Sequence, residues 1–160
     1  MRKTHLLDLI VAALEADLAL AQRAAQTAHE TATHEENVAE NKYDTLGLEA
    51  AYLAAGQSRR VEELRQALAA YRQLRLRPFE AARGIQLGAW VVLGDEDGGE
   101  QQFFLGPDGA GLKLPCDGQA VRVISPHAPL GQQLLGKGVG DEVLLGSGRQ
   151  ARVLEILRVE

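Results

Sequence analysis

Between Glu30 and Glu49 the chain carries six carboxylates (Glu30, Glu35, Glu36, Glu40, Asp44 and Glu49) against a single base, Lys42. Carboxylate oxygens are hard donors, and Mg²⁺ is often held by one or two of them together with waters and phosphates. Glu36, Glu40 and Asp44 follow one another at four-residue spacing. A helix running through them would place all three on one face. The same residues also suit a charged turn standing in water, and the segment alone does not choose between the two. His29 and His34 flank it without a Cys partner or a His-Glu-x-x-His spacing, which reads as exposed polar surface rather than a zinc site. From Arg59 to Arg83 the charge reverses, with seven arginines against three glutamates. Arg59 and Arg60 are either solvated helix charges or a patch that faces phosphates.

The elements around these residues follow from composition. Residues 4–77 contain no proline and are rich in Ala, Leu, Glu, Gln and Arg, all good helix formers. One apolar stripe runs Leu7, Val11, Leu14, Leu18, Ala21, Ala25, Ala28, Ala32. A second runs Tyr43, Gly47, Ala50, Ala54, Gln57, Val61, Leu64, Leu68, Tyr71. Alternating steps of four and three are the mark of a coiled-coil seam. The pattern predicts an antiparallel hairpin over 1–77, turning near 34–40, with an acidic tip over 34–44. Arms of about 30 residues would project roughly 45 Å. Large residues meet large ones near the base and small ones meet small ones toward the tip.

Pro78 closes the helical part, since the residue before a proline is pushed out of the helical region. Residues 78–83 read as a linker. From 84 to 160 glycines and β-branched clusters take over. Strands are expected at Ile85–Leu93, Glu100–Leu105, Gln119–Ile124, Asp141–Leu145 and Gln150–Val159, with a short helix after Pro129. The fold class is α+β: a helical hairpin followed by a small domain on an antiparallel sheet. The acids of Gly94–Glu100 and the absence of a lysine there exclude a phosphate loop. A net charge of −5 speaks against wrapping nucleic acid. No run of 18 apolar residues exists, so no membrane span is expected. Leu6–Leu14 continues into the long helix and reads as mature protein rather than a signal peptide. Cys116 is the only cysteine, in keeping with a cytoplasmic protein without disulfides.

Four segments occur in order in the second half: Val123-Ile124-Ser125-Pro126, Leu134-Leu135-Gly136-Lys137, Gly140-Asp141-Glu142-Val143 and Val153-Leu154-Glu155-Ile156-Leu157. In these the C-terminal half resembles the FKBP-like domain of the Gre (GreA/GreB-type) transcript-cleavage factors of bacterial RNA polymerase. The N-terminal hairpin has a family-like length, and Glu40-Asn41 matches the Glu-Asn of the family's tip. FKBP-like folds include prolyl isomerases, but an aromatic content of 4% does not suit an aromatic-lined proline pocket.

The resemblance implies a transcription elongation factor that is not itself an enzyme, acting as a single copy on RNA polymerase. The FKBP-like domain would dock on the polymerase through Ser125, Pro126, Gly136 and Lys137. The hairpin would enter a channel leading to the catalytic Mg²⁺. The factor binds no cofactor alone; in the complex Glu40 and Glu36 would share a polymerase Mg²⁺, with Asp44 as a further tip carboxylate assisting cleavage of backtracked RNA. Asn41, Arg59 and Arg60 would lie toward the nascent RNA 3′ end. The tip departs from the family at Asn37, which stands where an Asp is usual. Three readings therefore stay open: stimulation of cleavage, occupation of the channel by a regulator or inhibitor that does not stimulate it, or a polymerase-independent binding module that shares only the fold.

Overall fold

The computed structural model describes the backbone of residues 2–38, 45–108 and 111–160, and side chains for all of these except 34–38, 45–47 and 50. Two compact units result: Val11–Ala69, and Met1–Ile10 together with Ala70–Glu160.

The first unit is helical. Helix α1 spans Arg2–Val38 and helix α2 spans Thr45–Gln73, forming a hairpin. The 37 residues of α1 measure about 55 Å. Each helix buries one stripe. On α1 this is Leu14, Ala21 and Ala32, with Leu18, Ala25 and Ala28 half-buried. On α2 it is Val61, Leu64, Ala67 and Leu68, with Ala54 and Gln57 half-buried. Each fully buried Leu contributes roughly 1.5–3 kcal/mol relative to exposure. α1 stays helical into the span expected to turn, through Val38, because nothing from Thr31 to Val38 breaks a helix. Tyr43, Glu40, Asn41 and Asp44 lie outside the described residues.

The second unit joins the helix roots to a six-stranded sheet. Its strands are β1 (Trp90–Gly94), β2 (Glu100–Leu105), β3 (Lys113–Cys116), β4 (Gln119–Ile124), β5 (Glu142–Leu145) and β6 (Arg152–Val159), in the order β3-β4-β2-β1-β6-β5. All neighbours are antiparallel except β2 and β4. The parallel pair arises because the chain leaves β2, runs outward to form the edge strand β3, and returns between them. Asp117 and Gly118, both at positive φ (52° and 78°), make the two-residue turn that brings it back. β3 was not expected from the sequence. It contains Pro115, which an edge strand tolerates because its outer N–H has no partner to lose.

The strand expected over Ile85–Leu93 begins only at Trp90. Gly84 and Gly88 adopt positive φ (72° and 92°) and hold Ile85–Ala89 in a turn. Gly84 is in close approach to Gly136: a Cβ on Gly84 would sit 2.3 Å from the Gly136 carbonyl oxygen. Ile85 then exchanges backbone hydrogen bonds with that segment, its N–H donating to Lys137 and its carbonyl accepting from Gly136, both at 2.8 Å.

Side chains alternate across the sheet, as pleating requires. One face presents Val91, Leu93, Phe103, Leu105, Leu154 and Ile156, covered by Leu130 and Leu134 of helix α3 (Pro129–Leu134). The other buries Trp90, Gln102, Phe104, Val121 and Val123. There the Trp90 indole N–H donates to Gln102 Oε1 at 2.8 Å, and the Gln102 amide donates to Gln119. The helix roots belong to this unit. Lys3, Leu6 and Ile10 are buried, whereas the expected Leu7 and Val11 are only half-buried, so the stripe shifts by one position below Leu14. Near the base the buried positions step by four, Leu6, Ile10 and Leu14, instead of alternating four and three.

Candidate functional site

The acidic end of the hairpin is positioned by helix. The backbone of Glu35, Glu36 and Asn37 lies in the final turns of α1. Glu30 is exposed and accepts from the Gln26 amide at 2.8 Å, one turn earlier. Glu49 is exposed on α2. Glu40, Asn41 and Asp44, which carry most of the expected tip chemistry, fall outside the described residues. Among the described residues no group of three or more His, Cys, Asp or Glu is placed to hold a metal ion. Further along α2, Arg59 and Arg60 are exposed, and Arg60 reaches Glu63 at 3.8 Å, a weak pair across one helical turn.

In the sheet unit, Ser125-Pro126 and Gly136-Lys137 bracket α3. Ser125 is buried, and its hydroxyl accepts from the His127 N–H at 3.2 Å, opening the turn into the helix. Pro126 is half-buried. Gly136 sits at φ 80°, ending α3 in the left-handed region. Lys137 turns back so that its ammonium donates to the Glu142 carbonyl at 3.1 Å, while Asp141 accepts from the Gly138 N–H at 2.8 Å. Gln133 carries no motif signal, yet its side-chain amide both donates to and accepts from the backbone of Leu144, each at 2.8 Å. That double bond fixes α3 against the edge strand β5 and thereby fixes both turns.

The roots of the two helices are held by polar groups that the sequence alone did not single out. Arg2 stacks 4.4 Å from the Trp90 ring centroid and pairs with Asp117 at 3.2 Å and Glu160 at 3.3 Å. The Lys3 ammonium donates to the Arg77 carbonyl. Burial lowers its pKa, partly offset by the charge of Glu160. The Tyr71 hydroxyl donates to the Asp108 carbonyl. Burial first, and Asp108 second, push its pKa well above the ordinary phenol range. Burial likewise raises the Cys116 thiol, helped by Asp117, so it is held in its unreactive protonated form.

Residues 80–160 match the family model for the C-terminal domain of the transcription elongation factors GreA/GreB. The chain belongs to the GreA/GreB family. The family match takes in every strand, α3 and both turns that bracket it, while the helical hairpin precedes it. Among solved structures, the transcription factor Gfh1 is similar over 93% of this chain and 92% of that chain, at 22% identity and a TM-score of 0.40. Gfh1 of Thermus aquaticus is similar over 92% of each chain, at 24% identity and a TM-score of 0.39. A GreA/GreB factor from Nitrosomonas europaea is similar over 60% of this chain and 78% of that chain, at 19% identity and a TM-score of 0.39. Among curated proteins none matches. Among the described residues no helix is long and apolar enough to cross a membrane.

Proposed function

We propose that this GreA/GreB family member binds RNA polymerase in the cytoplasm and brings the acidic end of its hairpin toward the catalytic Mg²⁺, where it stimulates cleavage of backtracked RNA. The observation that carries this reading is the joining, in one chain, of the family's C-terminal domain to a long helical hairpin whose far segment holds six carboxylates and one base. Glu40 and Glu36 are the residues that would hold the shared Mg²⁺, with Asp44 available as a second or third oxygen donor. Their hard oxygens suit that ion. A second cation at such a site would supply the activated water for hydrolysis. The polymerase contributes the active centre and the substrate, so the factor is an accessory and not the enzyme. Asn41, Arg59 and Arg60 would face the RNA 3′ end, and the turns at Ser125-Pro126 and Gly136-Lys137 would meet the polymerase surface.

Asn37 favours a second reading. It sits in the last turns of α1, where the family has an acid, and an amide neither carries charge nor holds Mg²⁺ as a carboxylate does. A tip so altered would occupy the channel as a regulator or inhibitor without stimulating cleavage. RNA release from stalled, backtracked elongation complexes separates the two. Faster release with the protein supports stimulation; release at or below the rate of polymerase alone supports the regulator.

A further inference from the structure

The six-stranded sheet has two edges, and they are closed in different ways. The edge strand β3 carries Pro115, whose nitrogen has no hydrogen to offer a further strand. The edge strand β5 contains no proline and pairs with β6 on one side only. In an antiparallel ladder the N–H and carbonyl of one residue point to the same side, and successive residues alternate. On β5, Leu144 and Glu142 share the outward side. The Leu144 N–H donates to the Gln133 side-chain oxygen, and the Leu144 carbonyl accepts from the Gln133 amide, each at 2.8 Å. Two residues back, the Glu142 carbonyl accepts from the Lys137 ammonium at 3.1 Å. Gln133 thus makes the same pair of bonds that one residue of an added strand would make.

The edge beneath suits a second copy of itself. Two β5 strands antiparallel about Leu144 would set Leu144 against Leu144, Val143 against Leu145 and Glu142 against Gly146. No like charges would then face each other across the pair. Leu144 is 51% exposed and its cross-strand neighbour Val153 44%, so an apolar strip runs beside the outward hydrogen-bonding groups. An edge of that kind is a template for pairing between chains.

We propose that Gln133 guards β5 against pairing with the β5 of a second copy, its amide occupying the Leu144 backbone groups that would form the central bonds of that interface. Lys137 assists at the Glu142 carbonyl. The contact so prevented is isologous, because both copies would offer the same edge, and it closes at two copies. The inference concerns the chain alone and does not depend on how it acts on polymerase.

Sedimentation of the full chain tests it. The parent should keep the 17.3 kDa mass of one copy as concentration rises, whereas Gln133→Ala should climb toward twice that mass and stop there. Adding Leu144→Lys should return the Gln133→Ala chain to a single copy, because two ammonium groups would then oppose each other at the centre of the pair. Adding Val153→Lys instead alters the apolar strip but not the edge, so the doubled mass should persist. Gln133→Met, of similar length but without an amide, serves in place of Gln133→Ala if circular dichroism shows the latter to be unfolded. A folded Gln133 variant that stays at the mass of one copy would overturn the proposal. So would a parent chain that doubles as readily as the variant, doubling that survives Leu144→Lys, or doubling that Val153→Lys abolishes.

Discussion

Arg2 lies over the face of Trp90, 4.4 Å from the ring centroid, while its guanidinium pairs with Asp117 and Glu160. The first turn of α1 is thereby tied to β1, to the β3–β4 turn and to the residue after β6. Arg2 is about half exposed, so each contact is discounted: a cation–π contact contributes about 0.5–1 kcal/mol and each exposed pair less than about 1. Arg2→Ala should cost about 1 kcal/mol and lower the melting temperature by about 2–4 °C. Arg2→Lys should recover only part of this, because an ammonium cannot stack flat. Calorimetry of the three proteins checks the order.

Gly84 and Gly136 approach so closely that a side chain cannot intervene. Gly84→Ala would meet the Gly136 carbonyl at 2.3 Å and also hold Ala at φ 72°. The cost should exceed about 2 kcal/mol, combining overpacking with backbone strain. Gly98→Ala, at φ 83° with nothing within 4 Å, should cost about 1 kcal/mol. Equal losses in urea unfolding would show that the close approach does not matter.

Leu14 and Leu64 are essentially inaccessible and sit on the buried stripes of α1 and α2. Leu14→Asp or Leu64→Asp should cost about 3 kcal/mol or more, since a carboxylate would enter an apolar seam. Leu20→Asp, at a position 59% exposed, should stay within about 0.5 kcal/mol of the parent. Helicity by circular dichroism on heating separates the cases.

Those stripes were readable from the sequence because heptad spacing and burial have a common cause from Leu14 outward. Nearer the base they diverge: Leu6 and Ile10 are buried instead of Leu7 and Val11, because the buried stripe there steps by four residues and not by alternating four and three. The sheet was readable where strands alternate, as in Gln119–Ile124. It was not readable at Lys113–Cys116, where Pro115 masks a short edge strand, nor at Ile85–Ala89, where apolar residues sit in a glycine turn. The turns around α3 were legible as motifs, but Gln133, which fixes them through Leu144, was not. Its role depends on a partner 11 residues away that only the fold supplies.

Tyr71 donates to the Asp108 carbonyl, and its folded pKa lies above the ordinary 10.0. A phenol held neutral in this way contributes stability that is fully present below about pH 10 and is lost as pH rises above it. Tyr71→Phe should cost about 1 kcal/mol at pH 7 through the lost hydrogen bond. It should also flatten the fall in stability above pH 10. A variant that loses stability in alkali as steeply as the parent would count against this assignment.

RNA release from backtracked elongation complexes, compared between the parent chain and Glu40→Gln, tests the central claim most directly. The substitution keeps shape and hydrogen bonding and removes only the charge that would hold Mg²⁺. The account predicts that the parent accelerates release, and that Glu40→Gln returns it to the rate of polymerase alone while polymerase binding is retained. Release at the polymerase-alone rate with both proteins, each bound, would contradict it and leave a channel-occupying regulator.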